Sequence, residues 1–229
     1  GSYDLNRETY NGELTLSRFP LDRFLTVDSL GSASANFRLE GRYFSWPQAK
    51  TSVNAGIRQL FYKEHEYKDI TLQATLDKTH LRGTMVSKDP DAPLDLVFRG
   101  DSLQQQYQVG LGGYIGKVDL QALHLMQESL TMGLKVDLQG FIGEHSAYAL
   151  KARFDSLSMA DSRKTYTLGS LDIDMASDLK KTTLDVKTGD LQLTCRADTS
   201  LAGFGESAGK IAGIVGKQIA GKDIDMEQI

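Results

Sequence analysis

At 229 residues, with 40% hydrophobic side chains, 24% charged side chains and a net charge of −4, the chain has a globular composition without the basic excess that nucleic-acid binding needs. Its 22 Gly against only 4 Pro suit strand ends and bulges better than Pro-rich linkers. The single Cys195 excludes an intrachain disulfide framework, and no run of 18 apolar residues marks a spanning helix.

Alternation of apolar and polar residues begins at Gly12-Glu13-Leu14-Thr15-Leu16-Ser17, and Pro20 follows where a single helical turn would open. Ala33, Ala35, Phe37, Leu39 and Tyr43 alternate around Gly41; Val53, Ala55 and Ile57 continue the pattern. The clearest strand is Ile70-Thr71-Leu72-Gln73-Ala74-Thr75-Leu76-Asp77, followed by strands over Leu81 to Met85 and Leu94 to Phe98. Asp89-Pro90-Asp91-Ala92-Pro93, the strongest turn signal in the chain, joins those two. A Gly-rich stretch at Gly110-Leu111-Gly112-Gly113 precedes expected strands over Val118 to Leu125 and Leu130 to Gly140. Further strands are expected around Tyr148 to Phe154, Tyr166 to Leu168, Leu171 to Met175, Leu184 to Val186 and Leu191 to Ala197, a rhythm of roughly ten residues typical of all-β folds.

From Gly203 the period changes. Phe204, Ala208, Ile211, Val215 and Ile219 fall on one helical stripe, which several glycines weaken intrinsically, so the helix is expected to dock at an open end of the sheet. The expected organisation is a repetitive β-sheet domain over 1–202 and a C-terminal helical segment over 203–229.

One group of residues occupies the apolar phase of its strands: Leu72, Ala74, Leu76, Leu134, Val136, Leu138, Leu150, Ala152, Phe154, Leu171, Ile173, Met175, Leu191 and Leu193. They are expected to face one common apolar interior, because a register slip of one residue would turn each set to water. Strands that are oily on one side only must hide that side, either in a closed sandwich or in a trough that holds something oily. Cys195 shares the apolar phase and reads as a structural thiol.

Motifs for catalysis are missing. Gly110-Leu-Gly112-Gly-Tyr-Ile-Gly116 misses the dinucleotide fingerprint by one residue and opens no helix. Gly205 to Ile211 lacks the length of a phosphate-binding loop and has Ile211 where Mg²⁺ needs a hydroxyl. The four histidines, His65, His80, His124 and His145, stand at no metal-ligand spacing, and the carboxylates are scattered over polar strand positions. No serine sits in a Gly-x-Ser-x-Gly setting. A non-enzymatic role without cofactor or metal is the expectation.

The recurring Gly between alternating strands, the Phe19-Pro20-Leu21 segment, and above all Val186-Lys187-Thr188-Gly189-Asp190-Leu191-Gln192-Leu193 running through Ala197-Asp198 towards a helix resemble the TamB/AsmA-like periplasmic proteins of Gram-negative bacteria, in their Bacteroidetes-type form. The resemblance covers most of the chain. It implies an elongated antiparallel sheet curled into a trough, β-taco-like, with the apolar residues named above as the lining of a lipid groove. It also implies a periplasmic conduit or scaffold for phospholipid in outer-membrane biogenesis, with an outer-membrane barrel-assembly partner. Members of the family are far longer and carry an inner-membrane anchor, so this stretch would be an internal or C-terminal-region fragment. The alternative is a closed β-sandwich or jelly-roll module binding a glycan or protein, for which Trp46 is the one exposed-aromatic candidate.

Overall fold

A computed structural model describes residues 1–23, 29–43, 45, 48–103, 106–143, 147–161 and 164–205. The chain is all-β, and the described residues form thirteen strands in a single antiparallel sheet whose spatial order is the sequence order. In order they are β1 (Ser2–Asp4), β2 (Thr9–Pro20), β3 (Leu30–Arg42), β4 (Lys50–Tyr62), β5 (His65–Asp77), β6 (His80–Ser87) and β7 (Leu94–Leu103), followed by β8 (Gln106–Asp119), β9 (Leu130–Ile142), β10 (Tyr148–Asp161), β11 (Thr165–Ser177), β12 (Thr182–Thr188) and β13 (Leu191–Ala197). At about 4.8 Å per strand such a sheet is roughly 55–60 Å across. Residues 21–23 form a 3-10 turn directly after Pro20, as the fixed φ of that proline favours.

The hairpins follow their turn chemistry. Tyr62 pairs with His65 across the two-residue turn Lys63-Glu64, whose φ values of 47° and 65° are those a type I′ hairpin needs. Asp178 accepts the N–H groups of Lys180 and Lys181 at 2.7 and 2.8 Å and so closes the β11–β12 turn; those two bonds hold its carboxyl below the usual carboxylate range. Thr182, fully buried, links Ser177 Oγ at 2.7 Å to the carbonyl of Thr199 at 2.8 Å, tying the β11–β12 hairpin to the segment that enters a helix at residues 201–205. The rest of the expected helical stripe, from Ala208 to Ile219, lies outside the described residues, as does Trp46.

Irregularities gather at one end of the sheet. Register shifts occur between Leu16 and Phe19 in β2, between Ser34 and Ala35 in β3, between Ile115 and Val118 in β8 and between Asp155 and Ser158 in β10. Arg18 and Ser156, inside two of them, have φ of 47° and 55°, and Ser34 Oγ accepts the Arg18 N–H at 3.0 Å. Bulges of this kind add local twist.

Two expectations change. The expected curl into a trough is absent: the sheet is open, and strands contact their sequence neighbours instead of folding over onto distant ones. Alternation sets which face is apolar but says nothing of how far a sheet bends. The Gly-rich stretch forms the middle of β8. The strand expected over Val118 to Leu125 ends at Asp119, whose carboxylate accepts the N–H groups of Gln121 and Ala122 at 2.9 and 3.0 Å and turns the chain. His124 is therefore an exposed turn residue with φ of 55°, while Leu123 is buried.

Candidate functional site

Register defines the two faces of the sheet, because directly paired residues point the same way. One unbroken row runs Leu14, Phe37, Ala55, Leu72, Met85, Leu96, Gly113, Val136, Phe154, Leu171, Thr188, Leu191. The next runs Gly12, Leu39, Val53, Ala74, Gly83, Phe98, Leu111, Leu138, Ala152, Ile173, Val186, Leu193. A third row, which includes Leu76, Leu150, Met175, Leu184 and Cys195, lies beside it. Leu134 joins the same face through its pairing with Ile115. The residues expected to face a common apolar interior thus share one face, but it is a face of an open sheet and encloses no interior.

That face is levelled by size alternation along the rows. Ala55 sits between Phe37 and Leu72, and Ala152 between Leu138 and Ile173; both alanines are buried. A methyl added to Gly83 would fall 2.2 Å from the Phe98 ring, and one on Gly41 would fall 2.5 Å from the Tyr10 ring, so large side chains lean over the small ones. The tightest packing is central: Leu96, Leu134 and Val136 are buried, with Met85, Leu111, Leu138, Phe154 and Leu157 packed around them. Towards the β13 edge cover disappears, and Leu191 and Leu193 are 66% and 52% exposed. Among the described residues no second layer of strands lies on these rows.

The opposite face is a lattice of charge, and four of its ion pairs join direct register partners. Glu13 meets Arg38 at 2.5 Å, Lys50 meets Asp77 at 3.1 Å, Lys151 meets Asp174 at 3.5 Å and Arg153 meets Asp172 at 3.0 Å. Asp101 accepts from Arg82 at 2.8 Å and contacts His80 Nδ1 at 2.5 Å; the Arg82 bond, then the His80 bond, hold its carboxyl below the usual range. Hollows of about 450 and 400 Å³ lie over this charged face, one beside Arg38, Asn54 and Gln73, the other beside Asp137, Lys151, Arg153 and Asp172. A hydrocarbon chain on the apolar rows would therefore lie along a surface, not inside a tube.

At the bulged end the loops converge. Asp89, buried, accepts the N–H groups of Asp91 at 2.9 Å and Ala92 at 3.1 Å on Oδ1, and that of Lys68 at 2.8 Å on Oδ2. His65 stands beside it, with Nε2 3.6 Å from Asp89 Oδ1 and Nδ1 3.1 Å from the carbonyl of Ala122. Tyr67 packs edge-on to the His65 ring, and burial, then the Asp89 charge, push its phenol up. Linear spacing hid this grouping, since its members come from three separate connections; the Asp-Pro-Asp turn was its only sequence signal.

No family model matches the chain, and no curated protein or solved structure does.

Proposed function

We propose that this chain is a non-enzymatic, periplasmic scaffold or conduit that carries phospholipid acyl chains along its apolar face in outer-membrane biogenesis, between inner and outer membrane and with an outer-membrane barrel-assembly partner. The observation that carries the lipid part is the continuous apolar face itself: rows of Leu, Val, Ile and Phe spanning β2 to β13, with a charged lattice behind them. Each methylene moved from water onto such rows contributes about 0.8 kcal/mol wherever it lies, so a chain can slide without a large barrier. The resemblance to TamB/AsmA-like proteins supports the compartment, the barrel partner and an anchored parent protein. A closed sandwich does not describe a single open sheet, so the alternative adhesion module loses its structural basis.

Native mass spectrometry of the protein purified from a bacterial host tests the reading, with phospholipid expected to co-purify. The double variant Leu191→Asp/Leu193→Asp is expected to fold and to lose most of that lipid, because both side chains are already exposed and their replacement charges stay hydrated. Absence of lipid from the parent protein, in purification and after incubation with phospholipid vesicles, would overturn the proposal.

A further inference from the structure

The loop cluster at the bulged end has chemistry that neither face requires. A carbonyl has no proton to give, so the 3.1 Å contact between His65 Nδ1 and Ala122 O requires the hydrogen on Nδ1. In the neutral ring Nε2 is then a bare lone pair. That atom is buried, has no hydrogen-bond partner among the described residues, and points at a carboxylate oxygen 3.6 Å away. A lone pair facing an anion in a site that is 89% shielded at the histidine side chain, and more so at Asp89, is repulsive unless a proton or a metal cation stands between them.

A third donor converges on the same point. Asp91 brings a carboxylate oxygen, and the ligand atoms of His65, Asp89 and Asp91 all lie within 4.8 Å of one another. The Asp91 carboxylate makes no hydrogen bond or ion pair among the described residues, and it is half-buried, which leaves a path from solvent. Ligands about 2.0–2.1 Å from a tetrahedral zinc stand about 3.4 Å apart, close to the His65–Asp89 separation. A ring nitrogen that donates to a backbone carbonyl while its partner nitrogen faces the site is the arrangement that orients metal-bound histidines.

We propose that His65 Nε2, Asp89 and Asp91 bind one divalent cation of the zinc class, with the fourth position left to water. Two carboxylates balance its charge. One nitrogen and few oxygens suit zinc, cobalt or nickel and not calcium, which takes six to eight oxygens. The ion links the start of β5 to the β6–β7 loop and, through Ala122, to the β8–β9 loop. It fastens loops whose connections are far apart in sequence, and it does so whatever occupies the apolar face.

The test is calorimetric titration of Zn²⁺ into chelator-stripped full-length chain, with Co²⁺ absorption as a reporter of ligand geometry. One equivalent should bind, Co²⁺ should give the intense visible bands of a tetrahedral site, and zinc should raise the melting temperature until chelator reverses it. Asp91→Asn, which disturbs no other bond, should weaken binding about tenfold or more, and His65→Gln should abolish it. His80→Gln, in the Asp101 pair on the charged face, should leave affinity unchanged. Binding that is absent, or equally strong in Asp91→Asn and His65→Gln, would overturn the site.

Discussion

Val136 and Leu193 stand in adjacent rows of one face, in strands of the same alternating pattern, and the fold treats them differently. Val136 is 3% exposed beneath Leu96, Leu138 and Phe154, whereas Leu193, in β13, which among the described residues has a strand neighbour on one side, is 52% exposed. The same sequence signal therefore yields a packed core in the middle of the sheet and an open apolar shelf at its end. Among the described residues, side chains of the flanking strands, not a second layer, bury the centre. Place along a strand counts as well as the number of flanking strands, since Val109, on this face in the interior strand β8, is 50% exposed.

The largest expected effect is on Val136. Val136→Asp puts an unpaired carboxylate among Leu96, Leu134 and Phe154 and should cost about 3–5 kcal/mol, read from urea unfolding. Gly83→Val comes next, since its added carbons collide with the Phe98 ring and the Gln73 carbonyl; about 1–3 kcal/mol should be lost. Asp101 probes the charged side. Its folded pKa is lowered, so the stability it contributes is present above the ordinary carboxylate range and fades as pH falls through the lowered value. Asp101→Asn should flatten that acid limb of a pH-stability curve by at most about 1 kcal/mol, as expected for exposed partners. Leu193→Asp alone should change stability by no more than about 0.5 kcal/mol. If it costs as much as Val136→Asp, the edge is packed like the centre and the contrast fails.

Much of this was legible from the residues alone. The shared face of Leu72 and Ile173 follows from strict period-two alternation, and register through the intervening strands keeps it. The open shape was not legible, because alternation carries no information on curvature. Nor was the turn after Asp119: Leu123 and Leu125 keep the spacing of a strand, and only the Asp119 carboxylate, accepting two following N–H groups, ends it. The meeting of His65 with Asp89 and Asp91 depends on three-dimensional convergence of loops that no spacing rule captures.

A sheet in which each strand pairs only with the strands before and after it in sequence has a particular folding behaviour. No strand waits for a distant partner, so loop-closure entropy is met in small instalments and growth can start at any hairpin. Stability then approaches a sum of nearest-neighbour terms, as in repeat arrays, and fraying begins at an end and stops at the first well-packed strand. The central pairs β7–β9 serve as that stop: hydrogen exchange should be slowest there and quicken steadily towards β13, as along a partly opened zip.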